Sequence, residues 1–281
     1  MRFFVYFPGA FEHVPVIEQG ALESDNLGFY GLLVSDHYMW GGERTGLQEN
    51  ATPESWILLT YLAAKTRRIR LGTLVTPIPF RPPGILAKMV STLDRLSEGR
   101  CILGVGAGWG QSEFEGYSVW DDARTRVSKT EEGLRLILKL WTEAVVDFDG
   151  EYYKAKGAVL EPKPIQKPHP PLLFGGGNRQ GKRMLRLAGT YGNICYLTNL
   201  QHGGVEEAKR RISETAQRIG REDRLEFAVG ELATPAANIR SKDLEEAASN
   251  GANYYVISLL KSDRKLEDMR AFAKDLMPSF Q

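Results

Sequence analysis

Leu32-Leu33-Val34-Ser35-Asp36-His37-Tyr38-Met39-Trp40 is the stretch whose reading decides the fold. Gly31 to Ser35 form a short apolar run after a helix-like segment, which suits a strand covered on both faces. Asp36 and His37 fall at its C-terminal end. If the strand belongs to a parallel α/β barrel, active sites are built at that end, and an acid beside an imidazole is a candidate proton-handling pair. The competing reading is a helix N-cap aspartate next to a surface histidine.

Working outward, strand-like and helix-like runs alternate along the whole chain. Arg2 to Phe7 read as a first strand ended by Pro8-Gly9, and Pro15 to Leu27 as a helix closed by Asn26 to Gly28. Helix Pro53 to Lys65 leads to strand Ile69 to Val75, and helix Gly84 to Leu96 to strand Arg100 to Val105. A long helix covers Ala123 to Glu143, with Val127, Leu134, Ile137, Leu138 and Trp141 at helical spacing. Val145–Phe148 and Glu151–Lys154 then flank Asp149-Gly150, a strong hairpin signal, and five prolines from Pro162 to Pro171 predict an extended connector. Alternation resumes with strands Leu172–Phe174, Tyr191–Leu197, Leu225–Val229 and Tyr254–Ile257, separated by helices Arg179–Leu187, Val205–Ile219 and Ser241–Asn250; a last helix spans Leu266–Leu276. Eight units predict an α/β fold over residues 1–281: a single (β/α)8 barrel domain with the hairpin and proline-rich connector inserted after the fourth helix. A doubly wound open sheet is the alternative with the same local pattern.

The composition is that of an ordinary globular enzyme, and it narrows the partners. Lys and Arg number 36 against 35 for Asp and Glu, so no global field draws the chain to nucleic acid or an anionic membrane. Cys101 and Cys195 sit in apolar strand-like runs without metal-ligand spacing, and with no signal peptide or membrane span in view the expectation is a cytoplasmic protein. The histidines, His13, His37, His169 and His202, form no H-x-H or H-x-x-x-H pair, and no serine lies in a G-x-S-x-G elbow, so no metal site is expected.

Further polar or glycine-rich groups follow predicted strands. Gly104-Val105-Gly106-Ala107-Gly108-Trp109 departs from a dinucleotide fingerprint because Trp109 replaces the third glycine and no helix is expected directly behind it. It reads instead as a strand end where backbone approaches a flat ligand, with Glu113 on the following loop. Gly175-Gly176-Gly177-Asn178 reads as an anion cradle, with Asn178 capping a helix that carries Arg179, Lys182 and Arg183 in its first turns. The competing reading is a flexible loop with solvated charges. Thr73 to Pro77 form an irregular wall, and Thr198-Asn199 and Glu231 add polar groups to the same rim.

Together these motifs resemble the bacterial luciferase-like flavin and deazaflavin oxidoreductases, which fold as (β/α)8 barrels. The likeness also runs through Pro53-Glu54-Ser55-Trp56, Ile69-Arg70-Leu71-Gly72-Thr73, Leu93 to Arg100, Pro162 to Gln166 and Pro171 to Gly176. The branch resembled most uses coenzyme F420. By that resemblance Asp36 and His37 lie beside the deazaflavin ring, a non-proline cis peptide at Leu74-Val75 forms a bulge behind it, and Gly176, Gly177 and Asn178 take the coenzyme phosphate. Thr73, Gly106, Gly108 and Gly175 complete the expected coenzyme contacts. His37 is then the catalytic proton donor or acceptor, oriented by Asp36, with Glu113 as a further catalytic acid and with Trp40 and Trp109 walling the substrate pocket. A homodimer acting on a small organic substrate is implied. Trp109 stands where sugar-phosphate dehydrogenases of the branch carry an acid, and the chain is short between Ala233 and Leu244, so the resemblance names no substrate. The alternatives are a monooxygenase using reduced FMN and oxygen, and a flavin-binding protein without catalysis.

Overall fold

Runs of β-branched, aromatic and leucine residues too short for helices form strands buried on both faces, as a parallel sheet between a filled interior and a helix layer requires. The computed structural model describes residues 1–9, 13–39, 52–175, 181–198 and 204–280. Strand β1 (Arg2–Phe7) leads through α1 (Val14–Leu27) to β2 (Gly31–Val34), and α2 (Ser55–Lys65) to β3 (Arg70–Thr73). A two-residue β4 (Thr76–Pro77) follows, then α3 (Pro83–Leu96), β5 (Cys101–Gly106), α4 (Gln111–Tyr117) and α5 (Ala123–Thr142). The antiparallel pair β6 (Val146–Asp149) and β7 (Lys154–Ala158) precedes β8 (Leu172–Gly175), α6 (Lys182–Tyr191) and β9 (Ile194–Leu197). The chain ends with α7 (Gly204–Arg218), β10 (Glu226–Val229), α8 (Ser241–Ser249), β11 (Tyr254–Ser258) and α9 (Lys265–Asp275).

The strands run parallel in the order β3-β2-β1-β11-β10-β9-β8-β5, and pairing of β5 with β3 closes the ring. Closure decides for the barrel over the open sheet. Alternate residues point inward, so Phe4, Tyr6, Leu33, Leu74, Ile102, Leu173, Ile194, Tyr196, Tyr254 and Val256 fill the interior. Their neighbours face a larger core beneath the helices, where the Trp141 indole N–H of α5 donates to the Ala87 carbonyl of α3 at 3.0 Å.

The insertion departs from expectation at its tip. Asp149 pairs with Lys154, so the turn holds four residues instead of the two-residue Asp149-Gly150 loop. Glu132 explains the wider tip: its carboxylate accepts from the backbone N–H groups of Glu151, Tyr152 and Tyr153 at 3.0, 2.8 and 2.7 Å. The proline connector is pinned by Asp94, which accepts from the N–H groups of Ile165 and Gln166 at 2.7 and 3.0 Å. No helix among the described residues is long and apolar enough to cross a membrane.

Gly104 shows how tightly the ring is drawn. A Cβ there would lie 2.0 Å from the Thr73 carbonyl oxygen on the neighbouring strand. Gly104→Ala is therefore expected to lower stability by about 3 kcal/mol, since backbone cannot yield as a side-chain tip does. Thermal unfolding of the variant checks this, and an unchanged midpoint would show that the two strands separate at little cost.

Candidate active site

Residues at the C-terminal ends of β2 and β3, before α3 and on α4 converge on one rim. Asp36 is 1% exposed, and both its carboxylate oxygens are engaged. Arg81 donates to Oδ2 and Oδ1 at 2.8 Å each, and the Thr76 hydroxyl donates to Oδ2 at 2.7 Å. Thr73 and Thr76 hydroxyls lie 3.0 Å apart, so the wall leading from β3 is tied into the same knot. Arg81 also bonds Glu54 Oε1, whose other oxygen caps α2 by accepting from Ile57 N–H at 2.8 Å. Burial works against the charge of Arg81, but the facing Asp36 carboxylate more than offsets this and holds its pKa above the ordinary arginine value.

Asp36 was expected to orient His37, and it does not. Successive residues at a strand end point to opposite sides, so the aspartate turns into the Arg81 knot while the imidazole turns away. Glu113 takes over that role. Its Oε1 lies 2.7 Å from His37 Nδ1, and its Oε2 accepts from the Tyr38 N–H at 2.8 Å. It sits in the first turn of α4 and is 4% exposed, where a loop acid and no directly following helix had been expected.

Aromatic rings surround this pair. Trp109 meets the His37 ring edge-on at 5.6 Å, Tyr38 stacks on Phe80 at 4.7 Å, and Tyr117 and Phe114 extend the cluster. Burial pushes the Tyr38 phenol up to about 12, and Tyr6, inside the barrel, also up to about 12, so both are neutral near pH 7. Tyr196 donates to the Gly230 carbonyl at 2.6 Å, and Thr198 donates to Glu231 at 3.3 Å across the rim.

The Leu74-Val75 peptide is cis, as the resemblance implies. The nearby glycines have a steric reason within the protein: a Cβ at Gly106 would come 2.5 Å from Val75 Cγ2, and one at Gly175 would come 2.4 Å from Val75 Cγ1. Gly108, at φ +78°, would meet Phe114 at 2.5 Å. These three glycines seat the bulge and the aromatic cluster, whatever ligand lies beyond.

The helix after the expected anion cradle starts later than its sequence suggests. α6 begins at Lys182 with Gly181 as its N-cap in place of the expected Asn178, and Arg183 binds Glu131 at 2.6 Å and Ser128 at 2.7 Å. Arg183 is thereby a strut between α5 and α6. Trp40, Gly176, Gly177, Asn178, Arg179 and Asn199 lie outside the described residues. Sequence reasoning missed Arg81, and gave Thr76 and Glu54 no part in the knot around it. The available signal was an arginine in the otherwise apolar run Ile78-Pro79-Phe80-Arg81-Pro82-Pro83.

A sequence profile of the luciferase-like monooxygenase family matches residues 1–277. The F420-dependent glucose-6-phosphate dehydrogenase of Kineococcus radiotolerans is 34% identical over 158 residues, which are 56% of this chain and 45% of that protein. The chain thus matches less than half the length of this curated relative. An F420-dependent secondary alcohol dehydrogenase, solved with an F420-acetone adduct, superimposes with a TM-score of 0.84 at 18% identity, covering 100% of this chain and 99% of that one. A riboflavin lyase solved with modified FMN and riboflavin gives 0.83 at 14% identity, covering 99% and 91%. At these identities the two structures establish the shared fold.

The buried knot yields the prediction of this section. Arg81→Met leaves the Asp36 charge without its counterion and is expected to cost about 3–5 kcal/mol in urea unfolding, of which the Asp36→Asn, Arg81→Met double variant recovers a large part. A single variant as stable as the parent would show that Asp36 does not depend on Arg81.

Proposed function

The chain belongs to the luciferase-like monooxygenase family, and within it we propose an oxidoreductase that transfers a hydride between coenzyme F420 and a small organic substrate. The observation that carries this reading is the bond between the buried Glu113 carboxylate and His37 Nδ1, at the rim that holds the Leu74-Val75 bulge. The identity to an F420-dependent relative supports the choice of coenzyme.

The described residues fit a flat ring in part. Leu74 and the partly buried Val75 offer an apolar backbone bulge at the open end of the barrel, with His37 on the neighbouring strand end. Asp36 is enclosed by Arg81 and Thr76, so its expected contact with the ring passes to the bulge it supports. A bound deazaflavin supplies the hydride-carrying carbon that no side chain offers. Glu113, as a carboxylate, accepts from Nδ1 and so keeps that hydrogen in place; Nε2 becomes the atom at which His37 takes or gives a proton. Trp109, in contact with the His37 ring, limits water beside the imidazole. We further place the enzyme in the cytoplasm as a homodimer, in keeping with its two buried free thiols and the exposed Ile57 and Tyr61 on α2.

A reading with FMN in place of F420 draws on the fold shared with the FMN-containing riboflavin lyase. Titration of the protein with both coenzymes separates the two. The expected result is tighter binding of F420; preference for FMN, with oxygen consumed when a flavin reductase is present, would replace it. His37→Ala is expected to lower turnover by about 10²–10⁴-fold while coenzyme affinity stays within about tenfold. Glu113→Gln is expected to lower turnover less, because the amide can still accept from Nδ1. Steady-state rates beside coenzyme titrations check both, and an unchanged rate in His37→Ala removes the proton-transfer role.

A further inference from the structure

Each cation that the described residues bring to the His37 region is already bound. Arg81, 8% exposed, is held by Asp36 and Glu54 and lies under the Tyr38 ring at 4.9 Å. Arg126, also 8% exposed, donates to the carbonyls of Gly108 and Asp121 and lies 3.9 Å from the Trp120 ring centroid. Against these stand the carboxylates of Asp36, Glu54 and Glu113, so among the described residues around the imidazole three acids face one guanidinium that two of them share and a second, Arg126, that is held by backbone carbonyls. A phosphate dianion brought beside these described residues would lose water without gaining an unshared counterion from them.

The surface offered beside this acidic floor is apolar. Trp109 is 68% exposed although its edge rests on His37, and Tyr117 and Val119, at the other end of α4, are 64% and 61% exposed. An indole face presented beside a proton-handling histidine, with further exposed apolar groups along α4, is suited to cover an apolar or aromatic body, while His37 addresses a single oxygen.

We propose that the substrate bound beside His37 is an uncharged aromatic or otherwise apolar alcohol or carbonyl compound, and that Trp109 is the residue selecting it over sugar phosphates. This inference rests on the reading of the protein as an F420-dependent oxidoreductase. It separates the chain from the substrate in the name of its curated relative, a glucose-6-phosphate dehydrogenase.

The test uses ligand-observed NMR on the full chain with saturating F420 and three probes: 1-phenylethanol, its para-carboxylate analogue and glucose 6-phosphate. The neutral alcohol is expected to bind at least about tenfold more tightly than either anion, the selectivity that one well-placed pocket contact provides. Trp109→Ala is expected to remove about tenfold of that affinity, whereas Trp109→Phe retains most of it. Equal or tighter binding of glucose 6-phosphate, no binding of the alcohol, or full affinity in Trp109→Ala each overturns the proposal. Coenzyme titration of the same sample separates the two failures. A protein that binds F420 yet prefers the sugar phosphate refutes only the substrate class, and one that does not bind F420 refutes the reading beneath it.

Discussion

A guanidinium buried among rings must find carboxylates, and the pairing of Arg81 with Asp36 arranges much of the rim. One arginine joins the end of β2, the wall after β3 and the N-terminus of α2, three segments far apart in sequence. Such a pair contributes little net stability over an apolar replacement, because desolvation consumes most of the attraction. What it contributes is position. With Asp36 drawn inward, the next residue along the strand end is presented outward, and that residue is His37. The imidazole is thus placed by a charge pair to which it does not belong.

The division of labour between the two carboxylates follows. Asp36 and Glu113 lie on either side of His37, and a sequence reading assigns the imidazole to its neighbour because adjacency is what a sequence displays. In the barrel, contact is decided by which face each residue occupies. Glu113, 76 positions away from His37, arrives on a separate helix whose first turn also suits an anionic side chain. Its second oxygen receives the Tyr38 N–H, so one carboxylate fixes both the histidine ring and the backbone that follows it.

The barrel was legible because its signals are local and repeated: each apolar run is short, each helix has its period, and the glycines and prolines punctuate them. As candidates, His37 and Glu113 were legible because both follow strands. Their partnership was not, nor was the Arg81 knot, because both join residues through folds of chain that no window spans. The Asp149-Gly150 turn failed for a related reason, as Glu132 on α5 offers the hairpin tip three hydrogen bonds that a two-residue turn would forgo. On α6, the charge of Arg183 was visible but its partner Glu131 was a matter of helix packing.

The seating of Val75 has an evolutionary consequence. Its two methyl groups occupy the spaces left by the missing side chains of Gly106 and Gly175, one on each of two adjacent strands. The three positions therefore form a single unit of inheritance. A lineage can enlarge either glycine only after residue 75 has shrunk, and a shrunken residue 75 opens a void that selection would then fill from one of the two strands. Mutational libraries that vary these sites singly will meet dead ends at each, while paired changes give access to barrels with a differently shaped bulge after β3.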